Sequence, residues 1–354
     1  MAGTSNQYIP SPEDVLVVKQ ILIKKGKLPL ELVDAIIDSA DYWVKTTTCR
    51  TNGEVSILSG RERENKLLLR SYPLGYFPTK ENPTALPMTI VDEYPSIPSE
   101  PWAESGDFPI NATEEVIDYW SRDAVPRGEF PCRKIVFTIK SHDQGWGGPP
   151  GCRGTYRGSS TWFDVGLETL SAIRDRQLPP FHLTESLAWQ HFHSRSDVEE
   201  IIGEFHAANR EKLLPYFYLP DPQSANPDAE PIICTTRTIS PRTETRTTAT
   251  EPPETKVEFR HGPDPGLDCL QRNRTGTRDT KEHVITWSCT DNVMDPDSID
   301  GKKLDGEGRG RATGNGEYVR NLKVGDVVTV WGKARYGGWV NYVEEVKIDV
   351  YWAV

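Results

Sequence analysis

Two stretches of helical periodicity open the chain. In "SPEDVLVVKQILIKKGK" the apolar residues Val15, Leu16, Val18, Leu22 and Ile23 fall near helical spacing. Ser11 stands where a cap belongs, Pro12 suits the first helical position, Glu13 and Asp14 meet the positive end of the dipole, and Gly26 follows Lys24 and Lys25 at the other end. In "LPLELVDAIIDSADYW" Leu32, Val33, Ile36, Ile37, Ala40 and Trp43 make a second apolar stripe, with Glu31, Asp34, Asp38 and Asp41 largely opposite. A pair of helices packed on the edge of a larger body is expected.

From Asn65 the period drops to two. "NKLLLRSYPLGYF" is a short apolar run closed by proline and glycine, and the proline-rich stretch from Thr79 to Trp102 is expected to be loop. "CRKIVFTIKSHDQGWGG" then alternates, with Ile135, Phe137 and Ile139 on one face and Val136, Thr138 and Lys140 on the other. A second strand around Thr161 to Leu167 is expected to pair with it across an elaborate glycine-rich loop. Near the end, Ile285, Trp287 and Cys289 alternate with Val284, Thr286 and Ser288, and Val328, Val330, Ala334 and Tyr336 alternate with Thr329, Trp331, Lys333 and Arg335. Gly337-Gly338 suggests a two-residue hairpin turn that sets Tyr336 opposite Trp339. Ile348, Val350, Trp352 and Val354 share one face of a last strand, so a chain cut after Lys347 is expected to unfold.

Between these β portions the pattern lapses. A helix is expected from about Ser196. Asp221 to Glu258 is rich in Pro, Thr, Glu and Arg, too poor in apolar residues to offset its chain entropy, and is expected to be a mobile insert. "DPDSIDGKKLDGEGRGRATGNG" is expected to be an acidic, glycine-rich loop. The resulting fold class is mainly β: a jelly-roll-like β-sandwich with N-terminal helices and a partly helical, partly disordered insert. Its expected bounds are 1–60 for the helical segment, 61–168 for the first part of the sandwich, 169–280 for the insert and 281–354 for the second part.

Charge and composition narrow the functional classes. A formal net charge of -11 over 354 residues disfavours a surface that tracks phosphate backbones, so no nucleic-acid partner is expected. No apolar run approaches the ~18 residues that span a bilayer, and the start lacks a basic segment followed by an apolar one. A cytoplasmic or nuclear protein with no membrane partner is expected. The six cysteines include no CxxC pair, which points to reduced thiols and neither zinc knuckle nor disulfide framework. The glycosylation triplets at Asn111 and Asn273 are discounted on the same reading of location.

The most chemically loaded stretch is Ser141 to Trp146. Serine, histidine and aspartate in immediate succession cannot form a relay among themselves, because a relay needs facing side chains. As a ligand-contacting loop, His142, Asp143 and Gln144 offer hydrogen bonds and Trp146 a face for stacking. The plain alternative is a turn whose polar side chains satisfy the backbone. Arg335 and Trp339 extend the candidate site, drawn from a wider set of Arg309, Arg311, Arg320 and Lys333 among Tyr318, Trp331 and Tyr336. That set is equally the description of a solvated sheet face with arginine stems lying over aromatic rings. His191 and His193 share a face if extended, but no third ligand stands at a compelling spacing, so no metal, no cofactor and no catalytic residue is assigned.

Two resemblances bear on partners. Leu28-Pro29-Leu30-Glu31-Leu32 followed by Ile36-Ile37 resembles the opening helix of an F-box, which docks an adaptor of a ubiquitin ligase. It implies Leu28, Pro29, Leu32 and Ile36 as partner-binding residues. The polar continuation "VKTTTCRTNGEVSILSG" departs from the apolar helices an F-box has there. The phrases "IVFTIKSHDQGWGG", "GTYRGSSTWFDVGLE", "EHVITW" and the run from Gly308 to Val354 resemble a widespread group of uncharacterised filamentous-fungal proteins, which implies no activity. The strand logic also resembles galactose-binding-like and discoidin-type jelly rolls, which bears on architecture alone. The functional expectation is an intracellular, non-enzymatic recognition module that binds a protein or a small polar ligand through sandwich loops. Two alternatives stand beside it: a substrate adaptor for a ubiquitin-ligase core, and an enzyme with a site in the sandwich mouth near His142 and Asp143.

Overall fold

The computed structural model describes residues 8–51, 53–60, 63–75, 77, 112–113, 126–174, 232–247 and 255–354. Helix α1 (Pro12–Lys24) starts at a complete capping box: Ser11 accepts from the Asp14 N–H while the Asp14 carboxylate accepts from the Ser11 N–H. Helix α2 (Leu30–Ser39) buries Val33 and Ile37. The two helices are tied by Lys19 to Asp34 at 2.6 Å, and Arg127 reaches back to Asp34 at 3.1 Å.

The helices lead into a β-sandwich. One sheet is ordered β1 (Val44–Arg50), β13 (Val340–Trp352), β5 (Cys132–Asp143), β11 (Lys281–Ser288), and β2 (Val55–Leu58) continues the β1 edge beside β13. The other is ordered β3 (Asn65–Arg70), β12 (Asp326–Ala334), β6 (Thr161–Arg174), β7 (Ile232–Ser240), β4 (Ala112–Thr113), with β10 (Gln271–Arg272) also on β6. β8 (Thr243–Thr247) and β9 (Thr255–Phe259) pair with each other. Every pairing among the described residues is antiparallel. The last strands alternate between sheets in jelly-roll manner, β11 in the first, β12 in the second and β13 in the first again.

Alternation decides which residues fill the space between the sheets. Ile135, Phe137 and Ile139 of β5, Ile285 and Trp287 of β11, and Val346, Ile348, Val350 and Trp352 of β13 are all buried. Phe137 meets Trp287 edge-on at 5.2 Å, and Trp287 meets Tyr318 likewise at 5.2 Å. The aromatic end of the sequence is thus a central strand, flanked by β1 and β2 on one side and β5 on the other.

Several expectations are corrected. Residues 44–58, expected in a helical segment, form β1 and β2; Val44, Thr46 and Thr48 alternate inward, and β-branched residues favour a pleated surface. β5 and β6 do not pair: they lie in opposite sheets, and the glycine-rich loop bridges the sandwich. β12 and β13 are no hairpin either. Each is an interior strand with both edges taken, so the turn carries the chain from one sheet to the other. Tyr336 takes φ 62° and Gly338 φ 90° there, with Trp339 N–H donating to Tyr336 O at 3.2 Å. β12 is buried along its whole length, on both faces.

The Thr-rich stretch expected to lack structure forms β7, β8 and β9 where it is described; its threonines and isoleucines are good strand formers even where few are apolar. The glycine-rich acidic loop contains α3 (Ile299–Gly306), capped by the Ser298 hydroxyl, and α4 (Glu317–Arg320) follows directly after the loop. The helix expected from Ser196, the pair His191 and His193, and the proline-rich stretch lie outside the described residues. No helix among the described residues is long and apolar enough to cross a membrane. Cys49, Cys132, Cys152, Cys269 and Cys289 are free thiols, and burial pushes Cys132 and Cys269 well above the usual range.

Candidate functional site

β5 leaves the core at Ser141, and from there the interior becomes polar. Ser141 Oγ donates to Asn273 Oδ1 at 2.7 Å; Asn273 Nδ2 donates to Thr161 Oγ1 at 3.1 Å and Asn341 Oδ1 at 2.8 Å; Asn341 Nδ2 donates to the carbonyls of Trp162 and Lys333, both at 3.2 Å. All four of these side chains are buried. The network joins β5, β6, β12, β13 and the 273–280 loop. Asn273, the asparagine of a glycosylation triplet, is 1 % exposed and occupied by this structural duty.

Asp143 takes the same inward path. Its Oδ2 accepts the Gly276 N–H at 2.9 Å, its Oδ1 has no partner, and burial raises its pKa to about 6 against the lowering effect of backbone N–H groups. Gln144 is also buried. Its Oε1 accepts from Val340 N–H at 3.0 Å, and its backbone carbonyl accepts from Arg278 Nε at 3.0 Å. One residue before Asp143, His142 sits on the outer face of the sheet, stacked on Tyr342 at 4.8 Å between ring centroids. His142 and Asp143 therefore diverge, as successive strand residues must, and do not converge on one reaction centre.

Beyond β5 the loop and the β12–β13 turn clasp each other. Trp146 packs on Gly338, where a Cβ would lie 2.6 Å from the indole Cη2. In return Trp339 packs on Gly147 and Gly148. Only glycine at Gly338 permits both the positive φ and the contact. Trp146 nonetheless keeps 55 % of its surface exposed and Tyr336 keeps 60 %, with the Tyr336 hydroxyl donating to Asp264 Oδ1 at 2.6 Å. Arg153, Arg157 and Arg278 are exposed on the neighbouring loops.

Of the residues singled out from the sequence, Gln144, Trp146 and Trp339 come together, and Asp143 anchors them from below. Arg335 does not join them. It is buried over the Trp162 ring at 5.2 Å and donates to the carbonyls of Glu64, Ala334 and Gly262 and to Asn65 Oδ1. The wider arginine set disperses too: Arg311 pairs with Asp297 and Asp305, Arg320 donates to backbone carbonyls, and Lys333 pairs with Asp164 at 2.5 Å. Sequence reading missed the exposed arginines 153, 157 and 278, although the alternation of the first two with glycine between two strands was a visible signal.

Two further features stand elsewhere. On the outer face of the first sheet, Glu54, His142 and Glu344 bring their side-chain ligand atoms within 4.8 Å of one another. On α2, Leu32 and Ile36 are exposed and with Leu28, Ala35 and Ala40 line a shallow apolar groove. The chain then enters β1, where an F-box would continue in helices. No family model matches the chain, and no curated protein or solved structure matches it, so the functional reading rests on this geometry.

Proposed function

We propose that this protein is a non-catalytic recognition module that binds an anionic, sugar-like ligand on the loop end of a jelly-roll-like sandwich. The observation that carries this is Trp146, an indole more than half exposed yet held by a glycine clasp, beside loops that carry exposed Arg153, Arg157 and Arg278. An indole face takes the apolar side of a pyranose, and the guanidinium groups take carboxylate or sulfate substituents. Preorganisation matters because it removes the ordering cost at binding. The test is a panel of neutral and acidic oligosaccharides titrated against the full chain by intrinsic tryptophan fluorescence. Acidic members are expected to bind, and Trp146→Ala to weaken them by about tenfold or more, on the order of one lost stacking contact. Absence of binding across the panel, or equal binding by Trp146→Ala, overturns the reading.

The exposed α2 groove supports a second reading, docking to a ubiquitin-ligase core through Leu28, Pro29, Leu32 and Ile36. Leu32 and Ile36 point away from the sandwich while Val33 and Ile37 secure the helix to it, so the outer apolar pair is not needed for packing. Leu32→Asp with Ile36→Asp leaves the fold intact on this reading and abolishes recovery of ligase-core proteins. If the intact chain recovers none, the groove has another use.

A further inference from the structure

We propose that Glu54, His142 and Glu344 form a binding site for a divalent transition-metal ion of the zinc class, on the outer face of the first sheet. The site is independent of the Trp146 surface. Three observations build it. His142 Nδ1 lies 2.8 Å from the Asp143 carbonyl, and a carbonyl only accepts, so Nδ1 donates there and Nε2 is the ring nitrogen turned to the site. That Nε2 faces Glu54 Oε2 at 3.6 Å. In a four-coordinate zinc site with bonds of roughly 2.0–2.1 Å, neighbouring ligand atoms stand about 3.3 Å apart, so the pair is already near coordinating separation.

The second observation is the backbone that delivers Glu344. Val343 pairs with Ser141 and Glu345 with Lys140, which leaves Glu344 as the extra residue of a β-bulge. A bulge re-aims one side chain without disturbing the strand on either side. Here it places two successive glutamates outward. Glu345 is taken by Lys140 at 2.7 Å, and Glu344 is left to His142. Glu282 also engages the Lys140 ammonium group, at 3.4 Å.

The third is the support around the ligands. The Tyr342 ring stacks on the imidazole and fixes its plane, and Thr280 Oγ1 donates to Glu344 Oε1, leaving the other oxygen to coordinate. Hydrogen-bonded ligands of this kind are the usual company of a bound metal. One histidine and two carboxylates, with a position left for water, suit zinc better than calcium, whose sites are built from oxygen alone. Glu54 is 45 % exposed and lies just before β2, so an ion held here ties β5, β13 and the entry to β2 together.

The competing account is a protonated His142 in an ordinary ion pair with Glu54. To separate the two, the full chain is stripped with chelator and titrated with zinc alone, the bound equivalents being counted by competition with a metal indicator. One saturable equivalent is expected, with Glu54→Gln, Glu344→Gln and His142→Asn each weakening that same equivalent by about tenfold or more. Zinc should raise the melting temperature of the wild type and leave that of the three variants unmoved. Glu54 is exposed and Glu54→Gln keeps its size, so that variant stays informative if His142→Asn fails to fold. No saturable equivalent in the wild type, or an equivalent that all three variants keep, overturns the site.

Discussion

The two ends of the sandwich are filled by opposite means. At the end where β13 finishes, Trp352, Val350, Ile135 and Trp287 close the space between sheets with apolar side chains. At the loop end, Ser141, Asn273, Asn341 and Thr161 fill it with hydrogen-bonded polar groups. Apolar packing is strong but indifferent to small shifts of the chain, whereas a satisfied polar network holds only one arrangement. The end that displays the tryptophan clasp is the end that needs its loops fixed in position.

The largest effect expected from breaking this comparison is at the apolar end. Trp352 is fully buried, and Trp352→Ala should cost about 3–5 kcal/mol in chemical denaturation, the usual range for emptying a large core site. Asn273→Ala comes next, at about 2–3 kcal/mol, because it orphans Ser141 Oγ, Thr161 Oγ1 and Asn341 Oδ1 together. A cost below about 1 kcal/mol would mean that water replaces the amide and that the network does not lock the loops.

A third effect depends on pH. His283 is buried at the loop end between Tyr156, whose hydroxyl lies 3.1 Å from Nε2, and the positive charges of Lys281 and Arg274; burial first and those charges second lower its pKa to about 4. The unfolded chain binds this proton near pH 6.5 and the folded chain does not until about pH 4, so the stabilisation is complete above pH 6.5 and is lost as pH falls toward 4. At pH 5 the loss is on the order of 2 kcal/mol. His283→Phe removes this contribution, so the stability difference between variant and wild type should shift by that amount between pH 7 and pH 5. A constant difference would show that His283 titrates normally. His261, packed against Trp331 and lowered to about 3 by burial and by Lys333 and Arg335, remains in both proteins and cancels.

These contrasts were legible in the chain only in part. The apolar rows of β5, β11 and β13 emerge from period two, and α1 from its apolar spacing with Ser11 and Pro12 at its start, because both signals are local. Sheet membership is not local: "VVTVWGKARYGGWVNYV" has the composition of a hairpin, and only the occupied edges of β12 and β13 make it a crossover. The same holds for the site. Trp146 and Gln144 stood out by type, but the residues that hold their loop, Asn273, Gly276 and Gly338, are distant in sequence and are brought to it by topology. Glu54, a single acid in a polar stretch, gave no signal, nor did Glu344, since a bulge cannot be read from alternation that it interrupts by a single residue.

The smallest effect sharpens the comparison most. Ser141→Ala removes one hydroxyl from the network and leaves Asn273 with its other partners, so it should cost only about 1 kcal/mol. In the double variant with Asn273→Ala, that cost should largely vanish, because the hydroxyl has already lost its acceptor. The two substitutions should therefore couple by roughly 1 kcal/mol in a double-mutant cycle. A Ser141→Ala and Trp352→Ala pair, at opposite ends of the sandwich, should add without coupling. Coupling in the first cycle and not in the second establishes that the polar end behaves as one unit and the apolar end as a separate one. Equal additivity in both would dissolve the distinction and leave the loops held by backbone pairing alone.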